Sequence, residues 1–132
     1  MSRMIFVNLP VADVNRSTAF YSGLGFAVNP MFSDDQTSCI VLSDTIFVMV
    51  MSRSRFADFS TRPIADDSTE VINCLTCDSR QEVDDLVGRA LAAGGSALRE
   101  PMSDGPMYGH SFADPDGHAW EVMSMDLDAA VR

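Results

Sequence analysis

Glu121 and His110 are the side chains best suited to acid–base chemistry in this sequence. Glu121 lies in an alternating run where it would share one strand face with alanine and methionine residues. A carboxylate among apolar neighbours is a candidate general acid or base. A structural carboxylate that accepts backbone hydrogen bonds fits the same pattern. For His110, a packed or solvated surface histidine is the alternative. Trp120 points to the opposite face from Glu121, which predicts a place in the core.

Asn8 and Asn73 are polar residues in the middle of predicted strands, where asparagine is depleted. They lie 65 positions apart, at corresponding places in two similar halves of the chain. Together they could present amide donors and acceptors to one ligand. Alternatively, they hydrogen-bond each other or water and hold the two halves together. Tyr108 precedes a predicted hairpin, and either ligand contact or simple packing would suit it.

Methionine is abundant, with nine residues, and methionine side chains adapt to apolar ligands of varied shape. Ordinary core filling is the alternative. Six methionines fall near predicted strands: Met49, Met51, Met102, Met107, Met123 and Met125.

Three cysteines, Cys39, Cys74 and Cys77, do not form a disulfide framework, because their number is odd and their spacing irregular. Cys74 and Cys77 resemble half of a zinc or redox motif. However, residues three apart on a strand point to opposite faces, so these thiols should diverge. We expect buried, reduced thiols of a cytosolic protein.

The composition sets limits on partners and location. The 132 residues suit one domain, and the net charge of -10 disfavours binding to nucleic acid or to anionic membrane surfaces. No apolar stretch is long enough to span a bilayer, and the first residues lack the apolar core of a signal peptide. We therefore expect a cytoplasmic protein with no membrane or nucleic-acid partner.

The first half of the chain predicts the element order strand, helix, strand, strand, strand. Alternating apolar residues give a first strand, Asp13 is a suitable N-cap, and Gly23 and Gly25 stop the helix. Polar breakers separate three further strands. The predicted ranges are 4–11, 14–23, 26–32, 37–43 and 45–51.

A segment without periodicity, 52–69, predicts a linker, and the element order then repeats. Ser79 and Glu82 form a capping-box pattern before an amphipathic helix, and 114–117 is a strong turn signal. Asp13 and Asp78 follow the first strand of each half, which indicates an internal repeat offset by 65 residues. The second module has strands at 71–77, 96–100, 107–113 and 118–125.

Three motifs resemble the vicinal oxygen chelate superfamily, which includes glyoxalase I, extradiol dioxygenases, and bleomycin and fosfomycin resistance proteins. They are the helix motif 13–26, the helix end 91–95 and the closing hairpin 114–121. The resemblance implies an α+β fold of two tandem βαβββ modules, whose curled mixed sheets form a cleft and which usually form a homodimer. It implies one domain over 1–132, with module one at 1–51, the linker at 52–69 and module two at 70–127.

The resemblance also says where a metal ion would be bound. Metal-dependent members have one ligand on the first and one on the last strand of each module. Those first-strand positions correspond to Phe6 and Val71, and the run 46–51 contains no carboxylate or imidazole. Only Glu121 remains, and one carboxylate does not hold a divalent ion. We predict no metal and no cofactor, with a rearranged site of His110, His118 and Glu121 as the alternative.

These observations favour a protein that binds a small, partly apolar molecule in the cleft without the usual metal. The alternative is a lyase or dioxygenase of glyoxalase type with an altered metal site, or with Glu121 and His110 as acid and base. A third possibility is a vestigial cleft with a functional dimer surface at Phe56 and Phe59. The predicted ligand-binding residues are Phe6, Asn8, Met49, Asn73, Tyr108 and Met123.

Overall fold

The computed structural model describes residues 3–125, which form three helices and two mixed sheets. The predicted α+β class is confirmed. The chain divides between Ser68 and Thr69 into two compact units. Residues 126–127, the predicted end of module two, lie outside the described residues. None of the three helices in the described part has the length and apolar character needed to cross a bilayer.

Unit 1 contains a four-stranded sheet, here called sheet A, with the order β1-β4-β3-β2. The first and last strands pair in parallel, and the other neighbours are antiparallel. Its elements are β1 (Ile5–Val11), α1 (Val14–Gly23), β2 (Ala27–Asn29), β3 (Thr37–Val41), β4 (Ile46–Ser52) and α2 (Arg53–Phe59).

Helix α1 begins and ends as its sequence predicts. The Asp13 side chain accepts a hydrogen bond from the Arg16 backbone N–H at 3.1 Å, which satisfies one free amide of the first turn. Gly25 adopts a φ of 102°, a conformation that side chains oppose, and it turns the chain out of the helix. Phe20 and Tyr21 are buried and contact each other edge-to-face. They anchor α1 in the core of unit 1.

Unit 2 repeats this order with a five-stranded sheet, here called sheet B, in which β5 and β9 pair in parallel. The sheet order is β5-β9-β8-β6, and β7 also pairs with β8. The strand predicted at 96–100 is only two residues long, and a second short strand, which was not predicted, follows at 102–104. The elements are β5 (Ile72–Thr76), α3 (Arg80–Ala92), β6 (Ser96–Ala97), β7 (Met102–Asp104), β8 (Met107–Ala113) and β9 (Ala119–Met125).

The N-terminus of α3 is a reciprocal capping box, as predicted. The Ser79 side chain accepts from the Glu82 backbone N–H at 3.1 Å, and the Glu82 carboxylate accepts from the Asp78 N–H at 2.9 Å. The structural N-caps are therefore Asp13 in unit 1 and Ser79 in unit 2. The repeat is offset by 66 residues, and the predicted offset of 65 is wrong by one.

The turn between β8 and β9 is also confirmed. The Asp114 carboxylate accepts from the backbone N–H groups of Asp116 and His118, each at 2.9 Å. Gly117 has a φ of 88°, which an L side chain rarely adopts. This turn places the two long strands side by side, and so it positions Glu121 within sheet B.

Two local features differ from the sequence prediction. The predicted strand at 26–32 ends at Asn29, because Pro30 begins a single 3-10 turn, Pro30–Phe32. The segment interpreted as a linker contains α2, which is capped by the Ser52 side chain and packs against β1 and β4. Arg53, the first residue of α2, forms a two-point ion pair with Asp66, which follows the helix, at 2.9 and 3.0 Å.

Candidate functional site

Helix α3 covers one face of sheet B. On that face, Phe112 and Trp120 are buried and stack with ring centroids 6.4 Å apart. Val122 is also fully buried there. Trp120 therefore lies in the core, as predicted. Because side chains alternate along a strand, the residues between these positions point to the opposite face. We call that opposite side the open face of sheet B.

Four methionines lie on the open face, at neighbouring positions of three strands. Gly109 on β8 lies between Met102 on β7 and Met123 on β9 in the strand register. Met107 on β8 is the direct neighbour of Met125 on β9. Three of them are substantially exposed, Met102 at 50%, Met107 at 38% and Met125 at 42%. We call this cluster of four the methionine face. Its thioether side chains offer a flexible apolar surface.

Gly109 leaves a hollow at the centre of the methionine face. A Cβ atom placed on Gly109 would have a single neighbour within 4 Å, the backbone oxygen of Val122 at 3.8 Å. No methionine side-chain atom therefore lies within 4 Å of that Cβ position. A flat group lying there would contact Met102 on one side and Met123 on the other.

A polar row borders the methionine face. Glu121 lies two residues before Met123 on β9, and it pairs with Cys74 on β5 and Ser111 on β8. Glu121 and Cys74 are exposed. Ser111 is buried, and its hydroxyl accepts a hydrogen bond from the Arg99 backbone N–H at 3.1 Å. The row offers an exposed carboxylate beside a thiol.

The three thiols are free but do not share one environment. Cys39 is buried, as expected, whereas Cys74 is exposed. Partial burial and the nearby Glu121 carboxylate raise the pKa of Cys74, which keeps it a neutral thiol. Burial, together with Glu82 and Asp78, raises the pKa of Cys77 to about 11. The pairing of β5 with β9 places Cys74 and Cys77 on opposite faces, as predicted.

In unit 1, the structure brings together three of the predicted ligand-binding residues. Phe6 stacks on Phe47 with ring centroids 4.7 Å apart, and Asn8 pairs with Met49 across β1 and β4. Phe6 is 46% exposed and Asn8 is exposed, so this face of sheet A is accessible along β1, whereas Phe47 is buried. We call these four residues the Phe6 face.

Asn73 does not occupy the position in unit 2 that Asn8 occupies in unit 1. With an offset of 66, the counterpart of Asn8 is Cys74, and Asn73 pairs with the buried Trp120 on the α3 side. A shift of one residue moves a strand side chain to the other face. The predicted pair of equivalent asparagines is therefore corrected, because only Asn8 lies on an exposed face.

His110 and Tyr108 also lie on the α3 side of sheet B. The Tyr108 hydroxyl donates a hydrogen bond to the Asp84 carboxylate of α3, and this bond raises the pKa of Tyr108. The same carboxylate oxygen lies 3.8 Å from His110 Nδ1, and Arg80 lies over the Tyr108 ring. Since Glu121 is on the open face, the structure does not bring His110 and Glu121 together as an acid–base pair.

The residues present do not fit the metal site of the superfamily. The corrected offset places Ile72, not Val71, at the position equivalent to Phe6, and neither side chain carries a donor atom. Met49 stands at the unit 1 position equivalent to Glu121. Within residues 3–125, no three His, Cys, Asp or Glu side chains are grouped so that they could hold a metal ion. His110 is separated from Glu121 by the sheet, which disfavours the rearranged site.

Two residues of the candidate site, Gly109 and Cys74, were not predicted from the sequence. Gly109 has a recognisable signal, because an isolated glycine inside a strand pattern often marks a close approach of another group. The signal for Cys74 was the correct repeat offset, which depends on choosing Ser79 instead of Asp78 as the N-cap.

Comparisons with known proteins agree with this architecture. Residues 3–43 match the family model of the bleomycin resistance protein-like N-terminal region. A search of curated proteins gives no significant match. Among solved structures, a hypothetical protein, SA1046, from S. aureus is 29% identical with a TM-score of 0.81, and 94% of each chain is covered.

Two other similar structures carry more descriptive names. A glyoxalase/bleomycin resistance protein/dioxygenase family enzyme from Burkholderia phytofirmans PsJN is 18% identical with a TM-score of 0.80, covering 95% of this chain and 100% of that chain. The genomically encoded fosfomycin resistance protein FosX from Listeria monocytogenes is 20% identical with a TM-score of 0.70, covering 98% of both chains. At this identity the likeness shows the fold. The predicted resemblance to the vicinal oxygen chelate superfamily is confirmed by the fold and by the match over residues 3–43.

Proposed function

We propose that this chain, which has the fold of the vicinal oxygen chelate superfamily, binds a small, partly apolar molecule through the exposed faces of its sheets. The observation that carries the proposal is the methionine face with its hollow at Gly109. Ligand sites typically combine an apolar lining with a few placed polar groups. The methionine face supplies the lining, and Glu121 supplies a polar group beside it.

The packing chemistry favours a flat, ring-containing ligand. Methionine sulfur makes favourable contacts with aromatic rings, each worth about 0.3–1.5 kcal/mol. A ring above Gly109 would meet Met102 and Met123 at its edges, with Met107 beside them. The Phe6 face offers a second aromatic surface, where Phe6 remains 46% exposed although it stacks on Phe47.

A titration with naphthylmethanol, a neutral flat probe, tests the proposal. Methyl resonances of the methionines report contact directly, and we expect Met102, Met107 and Met123 to shift while Met31, a highly exposed residue of unit 1, does not. For a probe of this size, a Kd of about 0.1–1 mM is expected. Gly109→Ala should weaken binding about threefold, because its methyl group fills the hollow, whereas Met31→Leu should have no effect.

Gly109→Ala is a discriminating variant, because it should not harm the fold. The added Cβ has only an ordinary contact, and Gly109 is not among the glycines with positive φ. Alanine is also favoured over glycine within a strand, by roughly 0.5–1 kcal/mol. Unchanged binding in Gly109→Ala would place the ligand elsewhere on the protein. Uniform small shifts of all methionine methyl groups would contradict specific binding.

The enzymatic alternative has no comparable support. A lyase or dioxygenase with Glu121 and His110 as acid and base needs both groups within reach of one substrate. In the structure, Ser111 is the β8 partner of Glu121, and His110 next to it points toward α3.

Two further expectations accompany the proposal. The resemblance favours a homodimer, and sedimentation equilibrium of the purified protein tests it. The sequence favours the cytoplasm as the site of action, and localisation of a tagged chain tests that. Neither is needed for ligand binding by the methionine face.

A further inference from the structure

We infer that the open face of sheet B selects positively charged ligands, so that the preferred ligand is a flat aromatic molecule with an ammonium or amidinium group. This inference rests on the proposed function and adds the charge of the ligand to it. It follows from which charged side chains the strand register places around the methionine face.

Two carboxylates border the methionine face. Glu121 lies in the row beyond Met123 and Gly109, and Asp104 pairs with Met107 at the other border. Both side chains are exposed and accept hydrogen bonds only, so each favours a donor or a cation.

Within the described strands of sheet B, no basic side chain on the open face compensates the negative charge of these carboxylates. On the open face, the paired residues from β5 to β9 are apolar, small, hydroxyl, thiol or acidic, and none of these described positions is an arginine. The chain contains no lysine, and its net charge is -10. The field of the whole protein therefore adds to the local preference for cations and against anions.

The spacing of the carboxylate and the hollow defines the ligand further. Glu121 and Met123 are two residues apart on β9, which corresponds to about 7 Å along the strand. A ring above Gly109 with a cationic group one methylene away can therefore contact the methionines and the Glu121 carboxylate together. Ser111, beside Glu121, is already bonded to the backbone of Arg99, so the carboxylate is the dominant polar contact.

The test uses three probes with one ring and different charges: naphthylmethylamine, naphthylmethanol and naphthoic acid. We expect the cation to bind the full chain about fivefold more tightly than the neutral probe at low salt, and the anion to bind more weakly than both. The advantage of the cation should shrink as salt is added, because an exposed charge pair is screened.

Glu121→Gln should remove most of the advantage of the cation, measured within the variant as the ratio of the naphthylmethylamine affinity to the naphthylmethanol affinity. The control is Asp85→Asn, which removes one negative charge from the exposed side of α3, where Asp85 bonds Gln81. Asp104→Asn should have a smaller effect than Glu121→Gln, because Asp104 lies at the far border of the methionine face.

The outcomes separate the two proposals. Equal affinity for all three probes overturns charge selection and leaves the binding function in place. A cation preference that Glu121→Gln leaves intact, or that Asp85→Asn lowers as much as Glu121→Gln does, overturns the role of Glu121. Failure of every probe to shift the methionines of the methionine face overturns both proposals.

Discussion

In both sheets the last strand of the unit lies between the first strand and a middle strand, but the faces opposite α1 and α3 carry different chemistry. The row through Asn8 continues to Met49 and Cys39 and has no charge. The equivalent row in unit 2 runs from Cys74 through Glu121 to Ser111. The helix-covered sides, in contrast, bury mainly large apolar side chains in both units.

The difference indicates which positions the fold constrains. On the covered sides, side chains must fill space at interior density, so both units use large apolar residues. On the exposed faces the fold requires only strand-forming residues, and Met49 and Glu121 can occupy equivalent positions. Function in this architecture is therefore determined by a small number of face residues.

The covered sides provide the largest expected effects. Trp120→Ala and Phe20→Ala should each reduce the free energy of unfolding by about 3–5 kcal/mol, because both side chains are fully buried. Urea unfolding monitored by circular dichroism measures both losses. Tryptophan fluorescence would not serve, because Trp120→Ala removes the only tryptophan. A loss below about 1 kcal/mol in either variant would show that the two cores are not comparable.

The two equivalent rows differ in the accessibility of their thiols. Iodoacetamide at pH 8 should modify Cys74 about a hundredfold faster than Cys39, which is fully buried. The raised pKa values of Cys74 and Cys77 mean that their rates should continue to increase above pH 9, for Cys77 up to about pH 11. Peptide mapping by mass spectrometry assigns each site, and faster labelling of Cys39 would contradict the burial pattern.

Substitutions at the helix caps test whether the repeat offset between the two units is 66 or 65 residues. Asp13→Ala and Ser79→Ala should each cost about 1 kcal/mol of stability, because each removes the side chain that bonds the first turn. Asp78→Ala should change stability by less than about 0.5 kcal/mol, since Asp78 contributes its backbone N–H to the capping box. A larger loss for Asp78 than for Ser79 would favour the offset of 65.

The smallest expected effect concerns the polar network beneath sheet B. Asp84→Ala should lower the pKa of Tyr108 toward its ordinary value, because the hydrogen bond from its hydroxyl to Asp84 is the largest cause of the raised value. Ultraviolet absorbance of tyrosinate during an alkaline titration measures the change, with Tyr108→Phe identifying the signal. An unchanged titration curve would show that Asp84 does not control this hydroxyl.

Most of the architecture could be predicted from the sequence, because alternation, capping residues and turn residues act locally. Asp13, the pair Ser79 and Glu82, and the turn at Asp114 each behave as their residue types predict. Helix α2 was missed because its seven residues are too short for a periodic pattern to be visible.

The candidate site could be predicted only in part, because strand register depends on pairing between distant segments. Asp13 and Asp78 are both aspartates, and aligning them gave an offset of 65, which placed Asn73 on the wrong face of its strand. The prediction included Phe6, Asn8 and Met49 of unit 1 in one site, and the register of β1 with β4 places them together. The hollow at Gly109 could not be predicted from the sequence, because it depends on which side chains flank the glycine on two other strands.

The parallel pairing of β1 with β4, and of β5 with β9, has a consequence for the order in which the chain acquires structure. In each unit the first strand has no strand partner until the last strand forms beside it. During synthesis, unit 1 can complete its sheet while unit 2 is still being translated, whereas β5 waits for β9. A nascent chain stalled before Ala119 should therefore resist proteolysis in its first half and remain cleavable in its second.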